Sequence, residues 1–151
     1  MIREAIDQCQ ITADNRKITV SYLENTSAIV LGDRDQLIMA IHNLIENAIN
    51  YSPENTKVSI STTLEDGVIN IAVTDQGIGI SEAEQDRIFE RFYRVDPARS
   101  RQTGGTGLGL SIVKHVASKH GGEVKIWSVE NVGSTFSLRL PMYSLPMENQ
   151  Q

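Results

Sequence analysis

Apolar residues at Ile2, Ala5, Ile6, Cys9 and Ala13 follow helical spacing, and from Lys17 to Tyr22 the chain switches to the alternation of a half-buried strand. A short apolar run, Ala28 to Leu31, closes at Gly32. Asp33 is then placed to cap a long helix reaching about Tyr51, where Ser52-Pro53 stops it. Within that helix Leu37, Ile41, Leu44, Ile45 and Ala48 make one apolar stripe, while Asn43, Asn47 and Asn50 share the opposite side at i, i+4 and i+7. Lys57 to Leu64 and Val68 to Thr74 alternate apolar with polar around Glu65-Asp66-Gly67, which predicts an antiparallel hairpin. From Asp75 to about Thr106 the chain is rich in Gly, Arg, Ser and Asp, broken only by the amphipathic run Glu82 to Tyr93. So long an irregular stretch in a compact domain calls for a functional reason. Helical spacing returns from Leu108 to His120, with Ile112, Val113, Val116 and Ala117 apolar, and ends at Gly121-Gly122 in the manner of a glycine C-cap. Glu123 to Ser128 and Ser134 to Leu140 form a last hairpin turning at Asn131 to Gly133. These elements predict one α/β domain over residues 1–141, followed by a tail or linker over 142–151.

Composition narrows the class of protein. A chain of 151 residues, 40% of them apolar, suits one domain with one core. Lys and Arg number 14 against 19 Asp and Glu, for a net charge of −5, and no basic stretch is dense enough for nucleic acid. The single cysteine, Cys9, excludes an internal disulfide framework and points to a reducing, cytoplasmic setting. Apolar runs fall well short of the roughly 20 residues of a membrane span, and the polar, amphipathic N-terminus is unlike a signal peptide. This chain itself is therefore expected to make no membrane contact. Met1 opens directly into helical pattern, which leaves a longer parent chain open.

Several short segments carry chemistry. Asp75-Gln76-Gly77-Ile78-Gly79-Ile80 follows a strand, and a carboxylate at a strand end beside glycines suits a flat ligand bearing an amino group; the plainer alternative is a turn. Gly104-Gly105-Thr106-Gly107-Leu108-Gly109-Leu110 runs from loop into helix, where backbone N–H groups at the positive helix end favour phosphate; the alternative is a flexible loop. It is neither a dinucleotide fingerprint nor a Walker loop, because Leu110 occupies the place of the third glycine of one and of the lysine of the other. The Asn stripe offers hard amide oxygens of the kind Mg²⁺ takes together with nucleotide phosphates, and Asn is a poor helix former to spend on a merely solvated face. In Phe89-Glu90-Arg91-Phe92-Tyr93-Arg94 the aromatics suit a core, and Arg91 or Arg94 could reach phosphate oxygens.

The order of these segments is more specific than any one of them. Asn-Leu-Ile-Glu-Asn-Ala, Asp-Gln-Gly-Ile-Gly-Ile, Phe-Glu-Arg-Phe-Tyr-Arg and Gly-Thr-Gly-Leu-Gly-Leu resemble in turn the N, G1, F and G2 boxes of the catalytic domain of bacterial sensor histidine kinases, from about Asp33 to Pro141. Gly133-Ser134-Thr135-Phe136 resembles a further glycine motif of that family. The resemblance implies a two-layer α/β sandwich, a mixed sheet with helices on one face, and ATP held between those helices and a mobile lid over Val95 to Thr103 with Arg99 and Arg101. It implies that Asp75 accepts from the adenine amino group, that Tyr51 packs near the base, and that Gly77, Gly79, Ile80, Phe92 and Thr135 line the nucleotide pocket. Asn47 would bind Mg²⁺, Asn43 would assist at the metal or a phosphate, and Arg94 would act with them in catalysis. Gly105, Thr106, Gly107, Leu108, Gly109 and Leu110 would surround the triphosphate. Where many relatives carry Lys this chain has Asn50, so one phosphate contact is missing or supplied elsewhere.

Gyrase-type and MutL-type ATPases share this fold but place a water-activating glutamate where this chain has Asn43, which is no base. Transfer to a histidine needs mainly positioning and charge neutralisation, so the resemblance implies a protein-histidine kinase using ATP and Mg²⁺. His42, His115 and His120 lack the setting of a phosphoacceptor and read as structural. The implied partners are an acceptor-histidine helical domain of the same kinase, absent here, and a response regulator, with the parent protein anchored in the cell membrane. The alternatives are a non-catalytic ATP-binding module and an anti-sigma-type serine kinase of the same fold.

Overall fold

The structure, a computed structural model, describes residues 1–24, 28–90 and 109–143. Helix α1 (Ile2–Asn15) is followed by β1 (Thr19–Leu23), α2 (Arg34–Asn50), β2 (Lys57–Glu65), β3 (Val68–Thr74), the short α3 (Glu82–Gln85), α4 (Gly109–Lys119), β4 (Glu123–Val129) and β5 (Gly133–Pro141). The strands form one sheet in the order β1-β2-β3-β5-β4, with β1 and β2 parallel and the remaining neighbours antiparallel. The parallel pair needs a crossover, and α2 supplies it. Strand alternation buries Val58, Ile60, Ile69, Ile71, Val73, Phe136, Leu138 and Leu140 on one face, where the helices pack, so the expected two-layer α/β sandwich is the observed one. Trp127, on the other face, is 60% exposed.

Helix α2 is the centre of the helical layer, flanked by α1 and α4. Beyond the expected stripe it also buries Ile38, Ala40 and Ile49, because neighbours on both sides widen its apolar face. Asp33 caps it, its Oδ1 accepting from the Gln36 N–H at 3.1 Å. At the other end Arg16 donates to the carbonyls of Ile49 (3.1 Å) and Ser52 (2.8 Å), a cation placed on the negative end of the helix dipole.

Turn chemistry explains where the expected boundaries moved. The strand expected from Lys17 begins at Thr19, because Lys17 adopts φ 57° and ends α1, with Ile18 N–H on Ala13 O and Lys17 N–H on Asp14 O. The β2–β3 loop shrinks to Asp66-Gly67, both at positive φ, between the paired Glu65 and Val68. Gly121, at φ 74°, closes α4 through Gly122 N–H to Ala117 O and Gly121 N–H to Ser118 O. Ala28 to Leu31 forms no strand. The run from Glu82 is helical only to Gln85 and then turns, burying Ile88 and setting Phe89 edge-on to Phe136 at 6.2 Å. Order reaches past Pro141: Met142 N–H bonds Gly67 O and Tyr143 N–H bonds Ile29 O.

Candidate functional site

The C-terminal end of α2 meets the loop after β3, that loop meets the β4–β5 turn, and the start of α4 meets the middle of α2 at Asn43. Asp75 stands in the loop, 6% exposed, one residue past β3. Its Oδ1 accepts from the backbone N–H of Gly77 at 2.9 Å and of Ser134 at 3.2 Å, while its own N–H bonds Ser134 O at 2.9 Å. Burial pushes the Asp75 carboxyl above the ordinary carboxylate range, against the opposite pull of those N–H groups. A buried acceptor is thus held at fixed orientation, the arrangement that an amino group of a flat base requires.

Backbone crowding explains the glycines around it. A Cβ on Gly77 would overlap the carbonyl oxygen of Tyr51, the residue that ends α2, so loop and helix end are in direct contact. Gly79, at φ 72°, lies against the Val129 carbonyl, and Asn131 N–H bonds Ile78 O at 2.7 Å. Ile80 is half-buried, and its N–H donates to Ser128 Oγ at 2.7 Å. The Asp75 loop is thereby fastened to α2 on one side and to the β4–β5 turn on the other.

The Asn stripe is half-buried rather than solvated. Asn43 Oδ1 lies 3.4 Å from where a Gly109 Cβ would stand, so α2 and the first turn of α4 come together at the amide. Asn47 follows one turn later on the same helix edge, toward Tyr51. Among the described residues no cluster of His, Cys, Asp and Glu could hold a metal by itself. The amide oxygens of Asn43 and Asn47 are hard donors that fit a cation held mainly by other ligands. Leu110 packs half-buried against the core.

One expected contact is corrected. Thr135 falls on the sheet face away from the helices, where its hydroxyl meets that of Thr74 at 3.0 Å. Alternation along β5 gives the inward place to Ser134, 4% exposed and bonded to Asp75. Sequence reading picked out the Gly133–Phe136 segment but not which residue of it turns inward. Phe92, Arg94, Gly105, Thr106, Gly107, Leu108 and the lid from Val95 to Thr103, with Arg99 and Arg101, lie outside the described residues.

Two of the three histidines, His42 and His120, and the cysteine have structural partners. Cys9 lies 1% exposed with Sγ 3.4 Å from His42 Nδ1, and His42 Nε2 lies 2.8 Å from Glu46 Oε2, a chain of contacts joining α1 to α2. Burial, then the Glu46 charge, push the Cys9 thiol up to about 12, so it stays protonated. His120 Nδ1 meets Val116 O at 2.8 Å and its Nε2 accepts the Asp33 N–H at 3.0 Å, tying the end of α4 to the start of α2.

A family described as histidine kinase-, DNA gyrase B-, and HSP90-like ATPase matches residues 32–144, and the chain belongs to it. The relatives named here are sensor histidine kinases. The sensor-like histidine kinase SenX3 of Mycolicibacterium smegmatis is 53% identical over 97% of this chain and 38% of its own length. The sensor histidine kinase WalK of Bacillus subtilis is 39% identical over 90% of this chain and 23% of its own. Among solved structures, the mycobacterial sensor histidine kinase MprB superposes with a TM-score of 0.78 at 32% identity, covering 95% of this chain and 96% of that one. Full-length ShkA in complex with AMPPNP gives 0.82 at 25% identity, over 95% of this chain and 30% of that one. The chain spans well under half the length of the curated relatives named here.

Proposed function

We propose that this chain binds Mg-ATP and transfers the γ-phosphoryl group to a histidine on a separate helical acceptor domain, as the catalytic part of a two-component kinase that passes the phosphoryl group to a response regulator. The observation that carries the reading is the buried Asp75 carboxylate, held by Gly77 and Ser134 on the same side of the sheet as Asn43 against Gly109. Asp75 receives the adenine amino group. Asn43 and Asn47 lie along α2 toward the N-terminus of α4, where the helix dipole favours phosphate. Mg²⁺, held by Asn47 with Asn43 assisting, would supply charge neutralisation at the phosphates. Asn43 carries no basic carboxylate to activate water, which favours phosphotransfer over hydrolysis. Arg94 and the glycines from Gly105 to Gly107 belong to the proposed phosphate end. Among the described residues no helix is long and apolar enough to cross a membrane, and the proposed setting is the cytoplasmic part of a membrane-anchored parent.

The test is incubation with γ-labelled ATP and Mg²⁺, with and without a separately supplied acceptor-helix domain. Acid-labile label on the acceptor alone is the expected result. Label on His42, His115 or His120 overturns the structural reading of these histidines, and label on a serine of a supplied partner favours the anti-sigma class. ATP binding without any transfer points to a non-catalytic module.

A further inference from the structure

Both arms that hold the Asp75 carboxylate lead to one hydroxyl, and we infer that Ser128 is a positioning residue that sets nucleotide-base selectivity by holding Asp75 in register. The inference rests on the proposed adenine role of Asp75. Ser128 faces inward from β4, directly opposite Ser134 on β5. Its Oγ lies 2.7 Å from the Ile80 N–H, 3.1 Å from the Gly133 carbonyl and 2.8 Å from Ser134 Oγ.

A serine hydroxyl has one proton to give and two lone pairs to receive. The Gly133 carbonyl can only accept, so it takes the proton. The Ile80 N–H and the Ser134 O–H then fill the lone pairs, and the Ser128 hydroxyl is saturated. The first arm runs from Ser128 through Ile80 back along the loop to Gly77, whose N–H meets Asp75 Oδ1. The second runs through Gly133 and Ser134, whose N–H meets the same oxygen. The two arms belong to segments distant in sequence, and Ser128 Oγ is the atom at which they meet. Without it the Ile80 N–H loses its acceptor, the loop keeps its ties through Asn131 N–H to Ile78 O and Asp75 N–H to Ser134 O but loses the one nearest its far end, and the aim of Asp75 loosens. The triphosphate end, at Asn47 and the start of α4, is built from other elements.

Threonine and valine at position 128 have the same shape and differ by the hydroxyl, and both suit a strand. Dissociation constants for ATP and GTP are measured for the full chain, with folding of each variant checked by thermal unfolding. Ser128→Thr is expected to bind ATP within about twofold of wild type. Ser128→Val is expected to weaken ATP about tenfold, the scale of one lost buried hydrogen bond, and to leave GTP within about twofold, so that selectivity shrinks. The tenfold loss should be the same with and without Mg²⁺. Amide exchange at Ile80 should quicken in the valine variant and not in the threonine one. Equal ATP binding by the two variants, or equal weakening of ATP and GTP, overturns the inference. If the valine variant does not fold, Ser128→Ala makes the same comparison. Wild-type protein that fails to prefer ATP over GTP sinks the adenine role of Asp75 itself, and is told apart because it needs no variant.

Discussion

Folding takes Asp75 from water to 6% exposure, and burial outweighs the hydrogen bonds from Gly77 and Ser134, so the ionised carboxylate costs the nucleotide-free fold stability. Its folded-state pKa is raised, so the penalty is fully present above that value and fades as pH falls through it. Asp75→Asn keeps an acceptor oxygen for the two N–H groups and removes the charge. The variant is expected to melt above wild type at neutral pH, with the gap closing below the ordinary value of 3.8, where the carboxyl is protonated whether folded or not. ATP affinity should fall roughly ten- to a hundredfold by titration, the scale of a lost hydrogen bond to a charged group. An Asn variant that melts lower at neutral pH and converges only above it would contradict the burial argument. Asp75 and its glycines were legible in sequence because a carboxylate after a strand and before glycines is a local pattern. Ser134 and Ser128 were not, since nothing local distinguishes an inward serine from an outward threonine until the register of β4 and β5 is set.

At the level of elements, joints made by single residues hold the helical layer. The His120 ring occupies the space where Gly32 would carry a Cβ, while it accepts the Asp33 N–H that opens α2. Gly32→Ala should therefore be destabilising alone, by about 1–3 kcal/mol as an overpacking change, and nearly silent when His120→Ala has already emptied the space. A thermal or urea double-mutant cycle measures this coupling; additive effects would remove the ring as the cause. Lys17 is a different kind of joint, exposed and forced to φ 57° where α1 ends. Lys17→Gly relieves that conformation and should stabilise by about 0.5–1 kcal/mol, read as a higher midpoint in urea with unchanged slope. The glycine end of α4 and the Asp33 cap of α2 were readable because Gly and Asp announce those roles. A lysine at a helix end does not, and the strand was expected to start too early for that reason.

Across the whole molecule, α2 connects the sheet, both flanking helices and the proposed nucleotide site, so its half-buried amides test function apart from folding. Asn47→Ala should leave the apo melting temperature near wild type, since Ala is the better helix former. It should shrink the upward shift produced by subsaturating Mg-ATP more than the shift produced by ATP without metal. Equal shifts in both proteins would strip Asn47 of a metal role. Hydrophobic period by itself determined the succession of helices and strands, the hairpins and the apolar stripe of α2, because each depends on residues within a few positions of one another. Tertiary structure alone decided the strand order β1-β2-β3-β5-β4, the placing of Asn43 against Gly109, the exchange of Thr135 for Ser134, and the joining of Ile80, Gly133 and Ser134 at Ser128. These are pairings between distant segments, and their partners are chosen by sheet register and helix packing rather than by local preference.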